Sequence, residues 1–191
     1  MAKKANQPSL IGIDVGTSAL KAVAFSLDGE VLASASREYP VQMPKPGWAE
    51  QNPEDWWQAT VHCLRALTRK IDPAGVEGIS FSGQMHGSVF LDSRGEVIRP
   101  AILWCDGRTA DQCASIISRV GEEDLLKWTK NLPLTSYTLP KLVWMAEKEK
   151  SNLRRVRTVL LPKDYVRYRL TGVKSMDEAD GAGTLMMEVG K

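Results

Sequence analysis

The chain has 191 residues, 43% hydrophobic and 25% charged, and its 25 basic and 23 acidic residues leave a formal net charge of +2. These proportions fit a globular protein with one sizeable core and offer no electrostatic footprint for nucleic acid. No stretch approaches the roughly 18 apolar residues of a membrane span, and the three cysteines, Cys63, Cys105 and Cys113, lack the spacing of a zinc set. Residues 1–8 read as a polar leader without a signal-type apolar run, so reduced thiols in a cytoplasmic protein are expected.

Residues 10–14 read as a buried strand and residues 19–26 as an alternating one, with Val15-Gly16-Thr17-Ser18 between them. Asp28-Gly29 has the composition of a tight hairpin, and residues 31–37 then form a third strand, so a three-stranded antiparallel meander opens the domain. Asn52-Pro53-Glu54-Asp55 starts a helix: a capping Asn, Pro at the first helical position, acids in the first turn. The stripe Trp57, Val61, Leu64 and Thr68 is expected to pack on the sheet, with both adjacent tryptophans in the core. Strands are expected at 76–82, 88–91 and 159–161, and helices at 107–118, 122–128, 139–150 and 164–170. Residues 181–189 read as a loop entering a new strand. No repeat or linker divides the chain, which points to one domain.

Two segments carry chemistry. In Asp14-Val15-Gly16-Thr17-Ser18 a carboxylate ends a buried strand and a Gly-Thr-Ser turn follows. Its amides and hydroxyls suit phosphate oxygens and Asp14 suits a Mg²⁺ held through water, although an ordinary hairpin has the same composition. The chain has neither GxxxxGK[ST] nor GxGxxG, so a nucleotide site here is of another design. In Gly83-Gln84-Met85-His86-Gly87, two glycines bracket polar side chains after an apolar run, a way of presenting hydrogen-bonding groups at a pocket floor.

These segments, with Trp48-Ala49-Glu50-Gln51, Pro53-Glu54-Asp55-Trp56-Trp57, Arg99 to Arg108, Thr138 to Trp144, Leu160 to Tyr165 and Arg169-Leu170-Thr171-Gly172, resemble the FGGY carbohydrate kinases, and among them the members acting on ketopentoses. The resemblance implies an α/β domain of the actin, Hsp70 and sugar-kinase type (ribonuclease H-like), with a mixed sheet and helices packed on it. It also implies transfer of the ATP γ-phosphoryl to a ketopentose such as D-xylulose with Mg²⁺, and a homodimer in the full-length protein. Met85, His86, Gln84, Trp104 and Asp106 fall on the sugar side, and Asp14, Gly16, Thr17, Ser18 and Lys21 on the phosphate and metal side. Lys21 lies on an alternating strand and pointing to solvent explains it equally. Pro140, Lys141 and Trp144 recur in the resemblance but suit helix packing, and Trp48 has no assigned role. Family members run to about 500 residues in two domains. Residues 9–191 are therefore expected to be an amino-terminal sugar-binding domain, incomplete at its carboxyl end, with the ATP-binding domain and the general base elsewhere; Asp177 and Asp180 precede the base. A non-catalytic sugar-binding module, or an ATPase without a sugar substrate, stand as alternatives.

Overall fold

The computed structural model describes residues 7–190, so most of the polar leader lies outside the described residues. The meander forms as expected, from β1 (Ser9–Val15), β2 (Ala19–Ser26) and β3 (Val31–Glu38). A fourth strand, β5 (Val76–Gly83), pairs parallel to β1, giving one mixed sheet in the order β3-β2-β1-β5. Alternation decides the faces: Ile11, Ile13, Val15, Leu20, Ala22 and Ala24 point inward, while Asp14 and Lys21 stand on the opposite, exposed face. Two short antiparallel ribbons complete the strands, β4 (Glu50–Gln51) with β7 (Ala101–Ile102), and β6 (Val89–Leu91) with β8 (Thr158–Leu160). The strand expected at 88–91 thus joins a separate ribbon, and β4 and β7, two residues each, are too short for a pattern to reveal.

Helix α1 (Pro53–Thr68) begins at the Asn52 cap, whose side chain accepts the Glu54 amide at 3.1 Å. It packs on β2 and β3, and α6 (Pro162–Thr171) covers β5 and β1. The buried face of α1 is Trp56, Ala59, Thr60, Cys63 and Leu67, one residue around from the expected stripe. Trp56 is fully buried beside Tyr165, whereas Trp57 is half-buried under the Arg169 guanidinium, 4.6 Å from its ring centre. The remaining helices are α2 (Ala110–Val120), α3 (Glu122–Thr129), α4 (Thr138–Lys148), α5 (Lys150–Arg155) and α7 (Glu178–Ala182). The single helix expected at 139–150 therefore stops at Glu149, whose φ of −133° and ψ of 50° break the helical path.

The expectation of a strand entering at 181–189 is corrected. Residues 178–182 are helical because the Asp177 side chain accepts the Asp180 amide at 2.9 Å and caps α7. Lys163 then gathers Asp164, Asp177 and Asp180 within 3.0 Å, and Thr184 accepts the Leu139 amide at 3.0 Å, fixing the segment across the start of α4. Among the described residues no helix is long and apolar enough to cross a membrane, and no group of three His, Cys, Asp or Glu is placed to hold a metal ion. All three cysteines are free.

Trp56→Ala is expected to cost about 3–5 kcal/mol in chemical denaturation, the range for truncating a buried tryptophan. Trp57→Ala should cost less than half of that, which inverts the ranking of the two residues given by the expected stripe.

Candidate active site

Parallel pairing of β1 with β5 sets Asp14 beside Ser82 and Val15 beside Gly83, so the turns that follow the two strands emerge side by side. The Val15 carbonyl accepts the Gln84 amide at 2.8 Å and carries that pairing past the strand ends. In the first turn the Gly16 amide donates to the Ala19 carbonyl at 3.1 Å, and a Cβ on Gly16 would stand 2.9 Å from that oxygen. Only glycine fits so tight a return.

Side-chain amides bind the two turns together. Gln51, 1% exposed, donates Nε2 to the Thr17 carbonyl at 2.7 Å, while its Oε1 accepts Trp56 Nε1 at 3.1 Å and Gln84 Nε2 at 2.9 Å. Gln84 Nε2 also reaches the Gly16 carbonyl at 3.3 Å, and Tyr39 donates its hydroxyl to that same carbonyl at 2.6 Å. Burial and the nearby Asp14 hold the Tyr39 phenol well above its ordinary range, so it stays a donor. Trp104 closes the front by donating its indole N–H to Thr17 Oγ1 at 3.0 Å. Asp14, Gly16, Thr17, Gly83, Gln84, Met85 and Trp104 together line a cleft of about 340 Å³.

Three features leave this cleft able to take a ligand. Gln84 Oε1 is buried without a donor, while the Nε2 of the same side chain donates to the Gly16 carbonyl and to Gln51 Oε1. Met85 and Trp104 are 55% and 44% exposed, large apolar surfaces facing a polar floor. Among the described residues, the Thr17 and Ser18 amides donate to no protein acceptor and Asp14 forms no ion pair. The free turn amides are chemically compatible with a phosphate, and the Asp14 carboxylate with a hydrated divalent cation.

His86 stands behind the cleft rather than in its lining. Its φ of 58° is left-handed, its ring meets Tyr137 edge-on at 4.8 Å, and Nδ1 is buried without a partner. Gly183 gives the ring room, since a Cβ there would lie 2.5 Å from His86 Cε1. Burial lowers the imidazole pKa, and the Lys141 charge lowers it further, so His86 is neutral near pH 7.

Asp106 is 1% exposed and both its oxygens are engaged: Oδ2 accepts the Ala49 amide at 2.6 Å and Arg108 Nη2 at 2.7 Å, and Oδ1 accepts the Arg108 amide and Nε at 2.9 and 2.8 Å. Arg108 also meets Glu50 at 2.7 Å, and Arg99 bridges Glu50 to Glu149. Trp48, unassigned from sequence, stacks 3.7 Å from the Arg108 guanidinium and edge-on to Trp144 at 5.5 Å. Lys21 is exposed directly across from Asp14 on the open sheet face, and Ser18 is exposed at the turn.

The structure thus joins Asp14, Gly16, Thr17, Gln84, Met85 and Trp104 in one cleft, sets His86 behind it, and leaves Lys21, Ser18 and Asp106 outside its lining. Sequence reading gave Gln51 no role, although a buried glutamine beside a short apolar ribbon must find partners. Lys141 carried a readable signal: it occupies the apolar stripe of α4 with Thr138, Trp144 and Met145.

A mixed sheet with a glycine turn after its first strand and a second polar turn beside it has the fold shared by sugar kinases, actin and Hsp70. Residues 9–191 match the FGGY family of carbohydrate kinases, N-terminal domain, and the chain belongs to that family. It is 45% identical over 182 residues to a xylulose kinase of Bacillus subtilis, covering 94% of this chain and 36% of that protein. It is 42% identical over 181 residues to the xylulose kinase of Escherichia coli, covering 95% and 37% respectively. The crystal structure of a xylulose kinase from Rhodospirillum rubrum superposes with a TM-score of 0.91 at 31% identity, covering 95% of this chain and 38% of that one. The chain spans little more than a third of the length of these relatives.

Two predictions concern the frame of the site. Arg108→Met is expected to destabilise the fold by about 3–5 kcal/mol, measured by denaturant unfolding, because Asp106 and part of Glu50 would stay buried without their cation. The Lys163 bond holds the Asp177 carboxyl below its ordinary value, so its contribution is complete above about pH 4 and fades as pH falls through the lowered value. Protection of the α7 amides, as exchange relative to the intrinsic rate at each pH, should therefore fall below about pH 4 before that of α1, and Lys163→Met should show the lower protection already at pH 7.

Proposed function

We propose that this chain supplies the sugar-binding side of an ATP-dependent ketopentose kinase, with D-xylulose as the reference substrate. The observation that carries the reading is one cleft lined by the Asp14 to Thr17 turn, by Gln84, whose Oε1 is buried without a donor, and by the exposed Met85 and Trp104. The xylulose kinases among its relatives support the choice of substrate.

An open-chain ketose packs carbon against Met85 and Trp104 and donates a hydroxyl hydrogen to Gln84 Oε1. A sugar lacking that hydroxyl leaves the acceptor unpaired and binds more weakly. His86, neutral behind the turn, acts on the sugar through its place next to Met85 and after Gln84. Asp14, Thr17 and Ser18 hold the phosphate side: the free turn amides orient phosphate oxygens, and the Asp14 carboxylate holds the waters of Mg²⁺. ATP supplies the γ-phosphoryl, and Mg²⁺ neutralises the charge that develops on it. Asp106 acts in this reading by fixing the Trp48 to Glu50 segment against Arg108. No residue of this chain is assigned as the base, and a kinase deprived of its base loses about 10²–10⁴-fold in rate.

Calorimetric titration of the chain with D-xylulose and with Mg-ATP, together with a coupled ADP-release assay, tests the reading. Saturable sugar binding with little turnover is expected. His86→Ala should weaken sugar affinity at least about tenfold, a loss of roughly 1.4 kcal/mol. Asp14→Asn should leave sugar affinity and melting unchanged while weakening Mg-ATP. Absence of sugar binding overturns the proposal, fast turnover overturns the assignment of the base elsewhere, and sugar binding without any Mg-ATP response favours a non-catalytic sugar-binding module.

A further inference from the structure

Among the described residues Lys141 is the most heavily buried cation, with no exposed surface, and it sits on the apolar stripe of α4, where packing alone calls for Leu or Met. Among the described residues it pairs with no carboxylate within ion-pair distance. Its Nζ donates instead to two backbone oxygens, those of His86 at 2.6 Å and Ser136 at 2.7 Å. A buried ammonium bonded only to carbonyls is an expensive way to fill space, and burial pushes its pKa down to about 7. One of the two oxygens belongs to the residue that adopts left-handed φ in the sugar-side turn.

The local bonds of that turn are few. The Gly87 amide donates to the Met85 carbonyl at 2.7 Å, and Ser88 Oγ reaches the His86 carbonyl at a long 3.3 Å. A histidine in the left-handed region is disfavoured without outside support, and Lys141 makes the short bond that supplies it. Its second bond ends on Ser136, just before Tyr137, whose ring meets His86 edge-on. The same ammonium therefore holds both the His86 backbone and the wall against which the imidazole rests.

We propose that Lys141 is a positioning residue for the candidate sugar site: its ammonium clamps the His86 carbonyl to the Ser136 carbonyl and so fixes the left-handed turn that presents Met85 and His86. The clamp rests on the sugar-kinase reading only for its purpose, not for its geometry. The groups that bear on Lys141 are Asp106, Cys105 and Arg108, and those that bear on the His86 ring are Lys141 from α4 and Asp180 from α7.

The chain has two histidines, and His62 is exposed on α1, so it serves as an internal reference in nuclear magnetic resonance. In the unmodified chain at pH 5, where Lys141 is charged, a slowly exchanging ammonium signal with a through-hydrogen-bond coupling from its ¹⁵Nζ to the His86 carbonyl ¹³C is expected. In Lys141→Met the His86 ring should titrate at higher pH and its Cε1–H resonance should move, while His62 stays in place. Absence of the coupling in the unmodified chain overturns the clamp, and so does a folded Lys141→Met chain with unchanged His86 titration. If Lys141→Met does not fold, the coupling alone decides. D-xylulose added to the unmodified chain separates the two proposals: no response in the His86 or Met85 signals, with the coupling present, refutes the sugar reading and leaves the clamp standing.

Discussion

The whole site depends on two carboxamides buried where two strands end. Parallel pairing brings the turns after β1 and β5 to the same edge, but pairing stops at Gly83 and the turns that follow are irregular backbone. Their polar groups would stay buried and unpaired without Gln51 and Gln84, and each such loss costs about 1–3 kcal/mol. Gln51 satisfies the Thr17 carbonyl, the Trp56 indole and one hydrogen of Gln84, and Gln84 adds a second, longer bond to the Gly16 carbonyl already held by Tyr39. The last acceptor, Gln84 Oε1, is buried without a protein donor, on a residue that lines the cleft. The network is complete except at this one buried acceptor.

Around this pair stands a buried electrostatic frame. Glu50, immediately before Gln51, meets Arg99 and Arg108, and Arg108 meets Asp106 under the Trp48 ring. Buried ion pairs of this kind contribute little net stability but resist rearrangement, since removal of one partner leaves an uncompensated charge. The frame fixes the two-residue ribbon formed by β4 and β7, and with it the positions of Gln51 and of Trp104, which follows β7 two residues on. On the other side, Lys163 draws Asp177 and Asp180 inward so that α7 and Gly183 back the His86 ring. The open face of the cleft is flanked by fixed elements on both sides.

Much of this was legible in the sequence, and the remainder was hidden for definable reasons. The three-stranded meander, the Asn52 cap and a strand ending in the Gln84 turn follow from alternation, capping chemistry and glycine placement, all local signals, whereas the parallel pairing of that strand with β1 does not. The side of α1 that faces the sheet was misplaced by one residue, because Trp56 and Trp57 are equally apolar and only the packing against Tyr165 distinguishes them. The end of the chain reads as a strand from its apolar run at residues 185–189, yet the Asp177 cap and a distant lysine decide for helix and turn. Gln84, Met85 and Trp104 were recognised by resemblance and share one cleft. Gln51 was given no role and Lys141 only a packing one, because their partners, carbonyls 34 and 55 residues away, leave no mark in a linear pattern.

The central claim is that the two turns form one site because the carboxamide pair ties them together. A D-xylulose titration of the unmodified chain and of Gln51→Leu, followed by the indole N–H resonance of Trp104, tests it most directly. Gln51 lies outside the cleft lining, so the account predicts saturable sugar binding that weakens about tenfold or more when the tie is cut, with the sheet still folded. Equal affinity in the two chains, or a Trp104 signal that never responds to sugar, would contradict it.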